Sequence, residues 1–292
     1  MKYKLIHNTR YKYQDTVSSY HSLACLTPKT LPQQICNDFS IHITPAPDKL
    51  VKRVDFFGNI LHYFSIHAPH KELTVLTKSN IIRLPQNGDL SLFDSNISCK
   101  EARRVLQEDF TLKNQLLQFM LPSTFVNWDD EIRDFARDCF VENTPLFECA
   151  KALCHKIFKE FTYLPNFTTI NTPIKTVLKE KKGVCQDFSH LGIACLRSMG
   201  FAARYVSGYI ETIPPKGKPK MKGSDASHAW ISVFIPGQGW CDFDPTNDLI
   251  PQERHITTAW GRDYGDVAPL KGLFFGSGKH ILTVEVDVLP LD

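Results

Sequence analysis

The chain has 292 residues, 42% of them hydrophobic, enough for one large domain or two modest ones with a sizeable core. Its 34 basic and 31 acidic residues leave a formal net charge of +3, without a long basic tract, so nothing in the charge calls for a nucleic-acid partner. No stretch approaches the ~18 apolar residues of a membrane span, and the N-terminal region lacks the apolar run of a secretory signal; a cytoplasmic protein without membrane contact is expected.

Nine cysteines are scattered with no CxxC pair. An odd count in a chain this long argues against a disulfide framework. Cys139, Cys149, Cys154, Cys195 and Cys241 fall in helix or strand patterns and are expected to be small structural residues in a reducing compartment.

Residues 1–95 read as strands. Tyr11, Tyr13 and Val17 sit among polar residues, and Leu23 to Leu26 runs into the turn signal Thr27-Pro28. Phe39, Ile41 and Ile43 alternate with polar residues up to Pro45, a half-buried strand. Val54 to Ile60 reads as strand, turn and strand around Gly58. Short strands with Pro and Gly between them predict an antiparallel sheet or sandwich. His62 and His67 differ in parity, and with His70 they are read as solvated rather than metal-binding. The polar stretch from Pro85 to Ser98 is expected to link two domains.

From about Asp109 the period becomes helical. Asp129 to Phe140 and Leu146 to Phe161 read as helices, the second with a stripe of Leu146, Ala150, Leu153, Ile157 and Phe161. Val177 and Leu178 begin a short helix. Gly183 is expected to supply backbone freedom for a sharp turn, after which Val184, Phe188, Leu191 and Cys195 recur at helical spacing until Gly200. Phe201 to Ile210 reads as a strand. Pro214 to Gly223, with four lysines, is a solvated excursion or a basic flap beside a site. His228 to Ile235 and Trp240 to Asp244 form a hairpin. Thr258 to Val267 reads as loop, and Leu282, Val284, Val286 and Val288 as a final strand with one face buried. The expected architecture is α+β: helices packed on an antiparallel sheet over 96–292, after a β-rich domain over 1–95. The strand near 280–290 is assigned to neither.

Three segments carry chemistry. Cys185 falls in the first turn of its helix, where unpaired backbone N–H groups and the positive helix end favour a thiolate. His228 starts a strand, off the apolar face made by Ala229, Ile231, Val233 and Ile235. Trp240, Asp242 and Asp244 share a face of the neighbouring strand, about 4.8 Å away. A carboxylate there reaches the ring, and alternation leaves both Asp242 and Asp244 open. Histidine can take the thiol proton, and an aspartate behind it fixes the tautomer. The competing reading of a zinc site lacks a close-spaced ligand pair.

The segments GVCQDFSH, LRSMGFAARYVSGY, DASHAWISVFIPGQGWCDFDPTND and GRDYGDVAPLKG resemble the core of the bacterial transglutaminase-like superfamily, whose members are often described as cysteine proteases. YKYQDTVSSYH, LTPKTLPQQ, ITPAPD and DFFGNILHYFSI resemble the β-rich region that precedes this core. The resemblance implies a papain-like arrangement, with Cys185 as nucleophile, His228 as its base and Asp244, the aspartate of Asp-Pro-Thr, as the third member. It implies acyl transfer at amide bonds on a peptide, protein or other amide substrate: hydrolysis first, protein-glutamine cross-linking or deamidation as the alternative. A binding or scaffold protein with a silent core is the reading from another class. No cofactor is expected, and without a D-x-D-x-D-G loop no metal. Arg204, Tyr205, Gly208, Arg262, Asp263 and Tyr264 are expected to brace the site, while Trp230 and Trp240 line a groove or pack the hairpin. Oligomeric state is left open.

Overall fold

The computed structural model describes residues 1–85, 97–212, 223, 225 and 227–291. Most of the expected linker and of the lysine-rich loop lies outside these residues. Six strands open the chain: β1 (Lys2–Val17), β2 (Ser19–Ala24), β3 (Gln34–Thr44), β4 (Lys49–Val54), β5 (Ile60–Ile66) and β6 (His70–Arg83). Alternation drives their layering. In β1, Tyr3, Leu5, His7 and Thr9 point inward while Lys2, Lys4 and Arg10 are exposed. Tyr13, Tyr20, Phe64, Ile66, Leu73 and Val75 then fill the space between two sheets, as the sandwich reading expects.

The end of the chain completes both sheets. Strand β13 (Leu270–Phe275) pairs with β2, and β14 (His280–Leu291) pairs with β1, placing Val288 opposite Leu5. The sheet orders are β14-β1-β6-β3 and β13-β2-β5-β4. The buried part of β14 is shorter than its alternation suggests. Val286, Asp287 and Val288 are buried, but Leu282 and Val284 are exposed, because the first half runs along a sheet edge that no described residue covers. His62 and His70 are likewise buried rather than solvated: His62 stacks on Phe39, and Nδ1 of His70 bonds the Ala68 carbonyl.

Between these strands lie the helices α1 (Cys99–Glu108), α2 (Phe110–Leu116), α3 (Asp130–Arg137), α4 (Leu146–Glu160), α5 (Ile174–Glu180) and α6 (Cys185–Ser198). The short parallel pair β7 (Thr162–Tyr163) and β8 (Lys182–Gly183) flanks α5. Strands β9 (Ala203–Ile210), β10 (Ser227–Ile235), β11 (Gly239–Phe243) and β12 (His255–Gly261) follow, then α7 (Tyr264–Val267). Helix α1 begins ten residues before the expected change of period. Its signal was local: Ser98 Oγ caps the Glu101 N–H at 3.2 Å in a Ser-x-x-Glu start.

The third four-stranded sheet, that of the core, has order β11-β10-β9-β12, all antiparallel. Helix α6 packs on the Ala229 and Ile231 face, close enough that a Cβ on Gly192 would lie 3.4 Å from Ile231. The opposite face is covered by the sandwich, so His228, Trp230 and Ser232 are buried as well. This double covering explains why the part of β12 from Thr258 reads as loop. His255, Ile256, Thr257, Thr258 and Ala259 are all buried, and a strand enclosed on both faces shows no alternation. Tyr3, Leu5, Ile81, Tyr209, Ile256, Val286 and Val288 form the cluster that fastens sandwich to core.

Candidate active site

Helix α6 starts at Cys185, with Val184 as N-cap. Val184 offers no side-chain cap, so the first-turn N–H groups have no intrahelical acceptor. Asp187 turns back instead. Its Oδ2 accepts from the Val184 N–H at 2.8 Å and from Thr168 Oγ1 at 2.6 Å. Gly183 does not take a left-handed conformation; its role is steric. A Cβ there would lie 2.8 Å from Asp187 Oδ2 and 2.9 Å from Asp187 Cβ. Glycine is thus needed because the carboxylate folds over it, which corrects the expectation of backbone freedom. The half-buried Cys185 lies beside this structure.

His228 is the second residue of β10 and pairs with Gly208 on β9. Gly208 must be glycine, since a Cβ would fall 2.0 Å from the Ile256 carbonyl oxygen and 2.6 Å from Trp230 Cη2. Asp244 directly follows β11 and bridges to Leu249. His228 Nε2 donates to Asp244 Oδ2 at 2.7 Å, with both residues buried. Of the two carboxylates that alternation leaves open, Asp242 turns to Trp230, accepting its indole N–H at 3.0 Å.

The Asp244 carboxylate is saturated with donors. Its Oδ1 accepts the backbone N–H groups of Thr246 at 2.9 Å and Asn247 at 3.2 Å. Its Oδ2 also accepts from Asn247 Nδ2 at 2.8 Å and from His255 Nε2 at 3.1 Å. Burial works against charge on His228, yet hydrogen bonds to Asp244 and Cys185 outweigh it and raise the ring to about 10. Burial also works against charge on Asp244, but its bonds to His228 and His255 hold the carboxyl well below the usual range. His255 goes the other way: burial lowers it more than Asp244 restores. One carboxylate oxygen therefore faces a charged and a neutral imidazole.

His255 escaped the sequence reading because β12 carries no alternation to place it. The donor atoms of His228, Asp244 and His255 lie within 4.8 Å of one another, close enough to surround a cation. Here both Nε2 atoms and the Asn247 amide are engaged with the carboxylate, an arrangement of proton donors around an acceptor.

The residues expected to brace the site make both packing and hydrogen-bonded contacts. Arg204 lies between two indoles, 4.2 Å from Trp240 and 3.9 Å from Trp260. Asp263 accepts the N–H groups of Phe125 and Gly265, and the Tyr264 N–H meets His190 Nε2 at 3.2 Å. Arg262 pairs with Asp266. Trp230 is fully buried under His228 and His255, so it forms a floor rather than a groove wall.

Comparison with known proteins agrees with this architecture. Residues 3–81 match the bacterial transglutaminase-like N-terminal region, and residues 133–245 match the transglutaminase-like superfamily. An uncharacterized protein of Mycobacterium tuberculosis is 38% identical over 296 residues, covering 100% of this chain and 93% of the relative. One from Mycobacterium leprae is 30% identical, covering 99% and 98%. In structure, the crystal structure of "a Putative Cysteine Protease from Cytophaga hutchinsonii" superposes with a TM-score of 0.75 at 22% identity, over 100% of this chain and 92% of that one; it shares the fold. Among the described residues no helix is long and apolar enough to cross a membrane. Family model and fold agree on a transglutaminase-like core. With its N-terminal region and core both matched in order, the chain belongs to the bacterial transglutaminase-like superfamily.

Proposed function

We propose that the protein is a cysteine-dependent acyl-transfer enzyme acting on amide bonds, with Cys185 as nucleophile, His228 as general base and acid, and Asp244 as the residue that orients the ring. The observation that carries this reading is the buried 2.7 Å bond from His228 Nε2 to Asp244 Oδ2, with Cys185 within hydrogen-bonding reach of the same ring. Asp244 takes Nε2, which leaves Nδ1 for the thiol. A ring raised to about 10 carries its proton near neutral pH and suits a thiolate partner.

Sulfur attacks the carbonyl carbon of the amide, and the developing oxyanion meets the Cys185 N–H at the N-terminus of α6. His228 gives its proton to the departing amine as the C–N bond breaks, leaving a thioester. Water then attacks, His228 takes its proton, and the C–S bond breaks to release the carboxylic acid and restore the thiolate beside the protonated ring. None of these steps requires a cofactor. Hydrolysis is favoured because Cys185 is only half-buried, so water can reach the thioester. If a primary amine reaches it instead, the same intermediate yields a cross-link.

Wild type and Cys185→Ala are incubated with mixed peptides, with and without a primary amine, and followed by mass spectrometry. Peptide cleavage by wild type and none by the variant is the expected result. Amine addition or loss of ammonia would move the assignment to transglutaminase or deamidase. No Cys185-dependent change in any arm would favour a silent binding protein.

A further inference from the structure

His255 comes from a strand that the proposed chemistry does not otherwise use, yet it shares the Asp244 oxygen that His228 uses. We propose that His255 is a positioning residue: by donating its Nε2–H to Asp244 Oδ2 it holds the carboxylate against His228, and the N-terminal sandwich sets its place through Gln34. This rests on the acyl-transfer reading above for its effect on catalysis, but not for its effect on the His228 ring.

Three observations support it. Oδ2 of Asp244 is 2.7 Å from His228 Nε2, 3.1 Å from His255 Nε2 and 2.8 Å from Asn247 Nδ2, so the oxygen is held from several directions. The His255 ring is buried and edge-on to the Trp230 indole, 5.2 Å between centroids at 85°, which limits its rotation. Its anchor is a side-chain clamp. The fully buried Gln34 accepts the Thr257 N–H at 2.8 Å and donates to the Thr257 carbonyl at 2.7 Å. Arg83 Nη2 bonds the Gln252 carbonyl at 2.9 Å, and the His255 N–H bonds that same carbonyl at 3.1 Å. Both ends of the His255 segment are thus held by the sandwich.

The electrostatics are consistent with a neutral donor. Around His228 stand Asp244, Cys185 and His255; around His255 stand Asp244, His228 and Asp242. Burial keeps His255 uncharged near neutral pH, so it does not place a second cation beside His228. As a neutral donor it draws negative charge from Asp244 and limits the pull of that carboxylate on the His228 proton.

The test compares full-length wild type, His255→Phe and His255→Gln. The His228 ring is titrated by NMR without substrate, and peptide cleavage is followed against pH. Phe removes the donor while filling the space; Gln places an amide N–H near the position of Nε2. In His255→Phe the His228 titration is expected to move up by about 0.5–1 pH unit. Its kcat/KM is expected to fall about 10- to 100-fold, mainly in kcat, as the ring loses its fixed orientation. His255→Gln should recover most of both. Should His255→Phe not fold, His255→Asn, whose amide stops near the position of Nδ1, replaces it with the same expectation. An unchanged or lowered His228 titration, or a Gln variant as impaired as the donorless one, would overturn the proposal. A protein that cleaves no amide yet shows the titration shift and its recovery supports the positioning role, and only the acyl-transfer reading fails.

Discussion

Gly183 and Asp187 cannot both keep their places if the glycine gains a side chain: a Cβ would lie 2.8 Å from the carboxylate oxygen that caps the Val184 N–H. Gly183→Ala should therefore break the turn-to-helix junction that carries Cys185. We expect a loss of about 1–3 kcal/mol, read from the urea midpoint, and slower alkylation of Cys185. Unchanged stability would show that the junction can relax without Asp187.

Cys185 should be the first thiol to react. Burial pushes Cys36 up to about 11, and Cys25 and Cys241 to about 12, while Cys195 and Cys154 are raised further within the core. Brief alkylation at neutral pH followed by peptide mapping is expected to mark Cys185 before these, and His228→Gln is expected to slow that reaction. Labelling of Cys36 or Cys241 at the same rate would remove the case for an activated nucleophile.

Asp244→Asn keeps the shape of the side chain but presents the wrong charge to His228. An approximately 10³- to 10⁴-fold loss of kcat is expected, with KM little changed. A loss below tenfold would mean that Asp244 does not orient the base.

Stability should depend on pH in a defined direction. His228 is raised from 6.5 to about 10 in the folded state, so its contribution is complete below about 6.5 and is lost as pH rises through about 10. Asp244 is depressed, so its contribution is present above its unfolded value and is lost as pH falls toward the folded one. Urea midpoints of wild type should fall between pH 7 and 10, and His228→Gln should show a shallower decline. Parallel curves would mean that the ring titrates alike in both states.

Gln34→Leu would leave the N–H and carbonyl of Thr257 without their side-chain partner inside the boundary between sandwich and core. A cost of about 2–4 kcal/mol is expected from these buried unpaired groups, measured by denaturant unfolding. A cost under half a kcal/mol would mean that water or a shifted strand replaces the glutamine.

Much of the fold was legible because it obeys local rules. β1 and β2 alternate, α4 carries a continuous apolar stripe, and Gly200 at φ +87° ends α6 where the pattern stops. Of the site, alternation put Asp242 and Asp244 on one face but could not choose between them, because the choice depends on where the Trp230 and His228 side chains reach.

By itself the sequence determined the succession of a strand-rich first part and a helix-then-strand core, and the residue types at the helix start, the strand start and the Asp-Pro-Thr turn, since each follows from neighbours a few positions away. Tertiary structure alone decided the burial of His228, the seating of β14 on β1 and the arrival of His255 at Asp244. The first and the last depend on the sandwich covering the second face of the core sheet. A strand enclosed from both sides loses the periodicity by which a sequence announces it.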